Sequence, residues 1–98
     1  MKFDVLEVLK DHRGREVAEG GSPLTYEKLV EAVCNLSQES GEKRLQVFRL
    51  MLAVAGRAEG EPLELTNSDV AMLREMTLKA PFGAVVTGRL LEWLDSGI

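Results

Sequence analysis

The chain has 98 residues, a formal net charge of −4 at neutral pH and 45% hydrophobic residues. That length supports one core and leaves little chain to wall a deep catalytic pocket. The apolar fraction excludes disorder by composition, and the acidic balance, with a pI of about 5.0, argues against binding nucleic acid by phosphate neutralisation.

Residues 2–9 favour a strand by their valine and aromatic content, with an imperfect alternation: Phe3, Val5 and Leu9 on one face, Leu6 and Val8 on the other. Asp11-His12-Arg13-Gly14 forms a turn, with Asp early and Gly where a positive φ is needed. Arg15–Ala18 returns as a second short strand, so residues 1–19 predict a β-hairpin, followed by a flexible break at Glu19–Pro23. An isolated hairpin is marginal in water and must pack on the helices.

Residues 24–98 predict a helical body. The first helix starts at Thr25, a hydroxyl cap, and carries Tyr26, Leu29, Val30, Val33 and Cys34 on one side. It ends between Ser37 and Gly41. A second helix runs from about Glu42 to Arg57, with Ser40 as its expected cap. Only Arg49 is polar between Val47 and Ala55, a pattern expected of a central helix covered on several sides.

Leu63-Glu64-Leu65 reads as a short extended piece. Thr66-Asn67-Ser68-Asp69 has capping-box spacing, with Leu65 and Val70 placed for a hydrophobic staple. The third helix turns Val70, Leu73, Met76 and Ala80 inward and stops at Pro81. The fourth, roughly Phe82 to Asp95, carries Val86, Leu90, Trp93 and Leu94 as its stripe. Ala84 and Gly88, four apart, predict a close crossing with another helix. The fold expected is a single domain of the α+β class, mainly α: an N-terminal β-hairpin packed on a compact four-helix body.

The polar inventory is short of catalytic material. The chain has one histidine and one cysteine. His12 in its turn reads as a general base, a pH switch or, more plainly, an exposed turn residue. Cys34 lies on an apolar helix side, remote in sequence from the one histidine that could activate it, which favours packing over chemistry. No cluster of His, Cys, Asp or Glu has metal-ligand spacing, so neither a metal nor an organic cofactor is expected. Glu59, Glu61, Glu64 and Asp69 gather around one loop, interrupted by Pro62. They read as a solvated acidic patch or as a contact surface for Lys and Arg on a partner. His12, Arg13 and Arg15 make a small basic hairpin tip, either an ordinary charged turn or an anchor on a partner. Trp93 with Arg89 one turn earlier reads as core packing or as a contact hot spot. The lone cysteine and a charged N-terminal start without a leader-like apolar run predict a soluble protein of the cytoplasm.

The order of elements carries a likeness to known proteins. Ser22-Pro23-Leu24-Thr25 follows the hairpin, and Gly41-Glu42-Lys43-Arg44 opens a long helix. Glu61-Pro62-Leu63-Glu64-Leu65-Thr66 leads into a capped helix, and the final helix contains Val85-Val86-Thr87-Gly88. Over most of its length the chain resembles small accessory proteins of phages and prophages. Among these it is most similar to acidic anti-CRISPR proteins acting on type I systems. The resemblance implies a stand-alone, non-enzymatic inhibitor in the host cytoplasm that binds the surveillance ribonucleoprotein and blocks target DNA engagement. Direct sequence-specific nucleic-acid binding and membrane association are not expected, and monomer or homodimer stays open. The same class includes proteins of virion assembly, which leaves a tail or assembly accessory role as the alternative.

Overall fold

A computed structural model describes residues 1–58 and 60–97. Four helices carry the body: α1 (Tyr26–Leu36), α2 (Glu42–Gly56), α3 (Asn67–Lys79) and α4 (Ala84–Asp95). Four two-residue strands accompany them: β1 (Lys2–Phe3), β2 (Ala18–Glu19), β3 (Ser22–Pro23) and β4 (Leu63–Glu64). The domain is mainly α with a small N-terminal hairpin, as the sequence implies.

The chain does turn back at Asp11–Gly14, with Lys10 bridging Glu16 antiparallel, but the pairing of the two-residue strands differs from expectation. β1 pairs antiparallel with β4, Lys2 opposite Glu64 and Phe3 opposite Leu63. The hairpin is β2 with β3, turned by Gly20 and Gly21, both at positive φ. The stretch expected to be a flexible break is therefore the turn and return strand of that hairpin. Two adjacent glycines reach the left-handed region without steric cost, which makes the tight turn there. Residues 5–9 instead run along the entry to α1. Leu9 N–H donates to Leu24 O, Leu24 N–H to Val17 O, and Val17 N–H to Leu9 O, at 2.8–2.9 Å. The amides of Tyr26 and Glu27, which no helical carbonyl can serve, donate to Glu7 O and Val5 O. Thr25 Oγ1 takes the next, from Lys28.

The helix ends follow local chemistry. Thr66 and Asp69 form the full capping box, each side chain accepting from the other's backbone N–H at 3.1 Å. Ala80 adopts an extended backbone ahead of Pro81 and closes α3. α2 and α4 start without a side-chain cap, at Gly41 (φ 64°) and Gly83, so Ser40 does not fill the role expected of it.

Buried apolar side chains form one cluster, from Phe3, Val5 and Leu9 through all four helices to Leu94. α3 packs against both α1 and α4, whereas α2 packs mainly against α1. The inner helices are thus α1 and α3, and α2 is not central. Gly88 makes no tight crossing either. It is exposed, and a Cβ added there would meet nothing within 4 Å. The glycine that is crowded is Gly97, where an added Cβ would collide with the Phe3 ring.

Candidate partner-binding surface

α2 has two apolar stripes, and only one is covered. Val47, Leu50 and Val54 face the core. At 100° per residue, Leu45, Phe48, Leu52 and Ala55 line up on the opposite side. Leu45 is 48% exposed, Phe48 56% and Leu52 55%. Single exposed apolar residues need no explanation, but three on one helical line with Ala55 beside them make a ridge. Burying the exposed half of each large side chain is worth about 1 kcal/mol. That falls short of the ~4–15 kcal/mol lost on association, so any docking here needs help from neighbouring groups.

The polar surroundings of the ridge are uneven. Lys43 pairs with Glu75 at 3.7 Å and Arg57 with Glu27 at 2.5 Å, both tying α2 to the body. Arg44 and Arg49 are exposed, on the two flanks of the ridge. Among the described residues neither lies within 4.0 Å of a carboxylate oxygen; Arg44 Nε donates to Glu39 O at 3.3 Å. Beyond Arg49 a cleft is lined by Gln46, Ala53, Glu64 and Asp69.

The residues singled out in the sequence fall in separate places. His12, Arg13 and Arg15 are exposed around a turn organised by Asp11, whose Oδ1 accepts from Arg13 N–H at 2.8 Å and Arg15 N–H at 3.0 Å. These two bonds hold the Asp11 carboxyl below its usual range. Glu59 lies outside the described residues. Glu61 is exposed; its backbone N–H donates to Ala58 O and its carbonyl accepts from Arg57 Nη1, while its carboxylate makes no ion pair with the described residues. Glu64 is exposed on β4 opposite Lys2. Asp69 is half-buried and committed to the fold: Thr66 N–H and Gln46 Nε2 donate to its oxygens at 3.1 Å. Burial pushes its carboxyl up, but the bonds from Gln46 and Thr66 outweigh that and hold it low. The expected acidic patch is therefore thinned by one structural carboxylate and bordered by Arg49.

Arg89 and Trp93 also serve the fold. Arg89 donates from Nε to Lys10 O at 3.0 Å and from Nη2 to Asp11 O at 2.7 Å, latching the N-terminal segment onto α4. Open hollows of about 250 and 330 Å³ lie on its two sides, the larger reached by His12. In the smaller, Ser96 spends its hydroxyl on Trp93 O at 2.8 Å, and Glu7, Lys10 and Glu92 mix charges of both signs. Cys34 is buried on α1, and burial, then Glu31, pushes its thiol up to about 11. No three His, Cys, Asp or Glu side chains converge as a metal site among the described residues, and no described helix is long and apolar enough to cross a membrane.

The chain matches no protein-family model, no curated protein and no solved structure.

Proposed function

We propose that this chain is a non-enzymatic binding domain that acts by docking on a larger protein through the α2 ridge. The observation that supports this is the line of Leu45, Phe48 and Leu52, about half exposed on a helix whose other face is packed. An apolar face on a small domain is a cost to solubility unless something covers it. The class of partner comes from the likeness to phage-encoded inhibitors: a type I CRISPR surveillance complex in a host cytoplasm. On this reading the domain, with a radius of gyration of 12.9 Å, blocks target DNA by the volume it occupies. Its exposed carboxylates, Glu61 and Glu64 among them, would face Lys and Arg side chains that otherwise hold a nucleic-acid backbone. The net charge of −4 favours this over direct contact with DNA.

The test uses a purified type I surveillance complex and labelled target DNA. Saturating protein is expected to abolish DNA binding, and Phe48→Asp to restore it. Undiminished DNA binding discards this partner class. Inhibition that Phe48→Asp leaves intact removes the ridge from the reading. The ridge also suits the alternative of an assembly accessory protein, which predicts association with purified phage particles instead.

A further inference from the structure

We propose that the α2 ridge takes an apolar segment rimmed by carboxylates, an acidic amphipathic helix of the partner protein, with Arg44 and Arg49 pairing to its acids. This rests on the ridge being the working surface and names what that surface selects. Four cations lie on or just beyond α2: Lys43, Arg44, Arg49 and Arg57. The two directed at the body, Lys43 and Arg57, have carboxylate partners in Glu75 and Glu27. The two on the flanks of the ridge have none within 4.0 Å among the described residues. Arg44 uses Nε on a backbone carbonyl, and neither of its terminal nitrogens takes part in an ion pair with the described residues. Glu64 and Asp69 line the same cleft as Arg49, and the oxygens of Asp69 are already taken by Thr66 and Gln46. A chain that is acidic overall therefore presents the exposed apolar stripe of α2 between two guanidinium groups.

That charge pattern discriminates between occupants. A second copy laid α2 against α2 would bring four guanidinium groups to one seam against the two Glu42 carboxylates of α2, leaving an excess of positive charge there. A nucleic-acid backbone would gain two cations but meet a greasy centre that it cannot use. A helix with leucine-type anchors every third or fourth residue and Glu or Asp beside them satisfies both parts. Guanidinium groups pair with carboxylates in a planar, two-bond geometry, which fixes register as well as adding attraction.

Three labelled amphipathic peptides, sharing one Leu/Phe face and differing only in Glu, Gln or Lys at the rim, test this by fluorescence anisotropy on the intact chain. The Glu-rimmed peptide is expected to bind at least about tenfold tighter than the Lys-rimmed one, with the gap narrowing as salt is raised. Arg44→Glu with Arg49→Glu is expected to invert the order. Phe48→Asp and Leu52→Ala, both at exposed positions, are expected to weaken all three while circular dichroism stays unchanged. Equal affinities, or preference for the Lys rim, overturn the acidic partner and leave the ridge as a docking face. Absence of any binding that Phe48→Asp removes overturns both. Self-association of the wild-type chain that Phe48→Asp abolishes assigns the ridge to a second copy and also overturns the proposal.

Discussion

The indole of Trp93 lies flat on the ring of Tyr26, with centroids 4.9 Å apart and planes within 3°. Phe3 closes the third side at 4.8 Å and 45°, and the indole N–H donates to Asp4 O at 3.1 Å. One side chain of the last helix thus fastens the first strand and the first helix. Trp93→Ala is predicted to cost about 3–5 kcal/mol, a large part of the ~5–15 kcal/mol available to a small domain. Trp93→Phe keeps an aromatic on Tyr26 but leaves Asp4 O without its donor, and is predicted to cost about 1–3 kcal/mol. Urea unfolding followed by circular dichroism measures both. A loss below about 0.5 kcal/mol for Trp93→Ala would mean that the aromatic cluster is not where the N-terminal segment is held.

The capping box makes a prediction with a pH signature. Thr66→Ala is expected to destabilise the domain by about 1 kcal/mol, since the Asp69 N–H then loses its acceptor. Asp69→Asn removes the charge that Thr66 N–H and Gln46 approach. Because the folded state holds the Asp69 carboxyl low, its contribution is present above the ordinary carboxylate range and is lost as pH falls through the lowered value. Acid unfolding of wild type should therefore include a component that Asp69→Asn lacks. Superimposable acid-unfolding curves for the two proteins would refute it.

How much of the fold and surface was legible in the sequence depends on whether the signal was local. The cap at Thr25, the box at Thr66–Asp69 and the stop at Pro81 are decided within a few residues by backbone hydrogen bonding, and the structure keeps all three. The β1–β4 pairing joins two-residue strands about 60 positions apart, too short to carry a period, so the alternation of residues 2–9 pointed to the nearer partner instead. The apolar run in α2 implied a covered helix because composition counts side chains without saying which face meets a neighbour. A finer count would have separated Val47, Leu50 and Val54 from the opposite stripe Leu45, Phe48, Leu52 and Ala55, but only the structure shows which stripe lacks a cover. Of the candidate site, the exposure of His12, Arg13, Arg15, Glu61 and Glu64 follows from their turn and loop positions. The structural role of Asp69 was contained in its own motif. The pairing states of the α2 cations, with Lys43 and Arg57 taken up by distant Glu75 and Glu27 while Arg44 and Arg49 have no carboxylate within 4.0 Å among the described residues, had no sequence signature.

Two glycines separate propensity from packing. Gly88 sits inside α4 with open space where a Cβ would be, so Gly88→Ala is predicted to stabilise by up to about 1 kcal/mol. Gly97 lies against Phe3, and Gly97→Ala forces the ring or the C-terminal turn aside, at a cost of about 1–3 kcal/mol. Thermal unfolding of the two variants should shift in opposite directions. A destabilising Gly88→Ala would point to a close partner on that face of α4, such as a second chain.

Cys34 gives the last prediction, and it concerns both reactivity and alkaline stability. Its side chain is buried in the core, and burial followed by Glu31 raises the thiol from 9.0 to about 11. At about pH 8 almost none of the folded protein carries a thiolate, so a disulfide reagent should label Cys34 only as fast as the chain unfolds. Labelling in native buffer at the rate of a free thiol would contradict the burial. The sign for stability comes from the same shift. The folded state disfavours the thiolate, so this contribution is whole below the ordinary 9.0 and is lost progressively as pH rises toward about 11, where the unfolded chain ionises first. The Tyr26 hydroxyl, raised from its ordinary 10.0 mainly by burial and then by Glu7, adds a loss of the same sign that sets in above that value. Cys34→Ala should therefore flatten the alkaline decline of the urea midpoint without abolishing it. A decline identical to wild type would assign the alkaline sensitivity to Tyr26 and the surface charges alone.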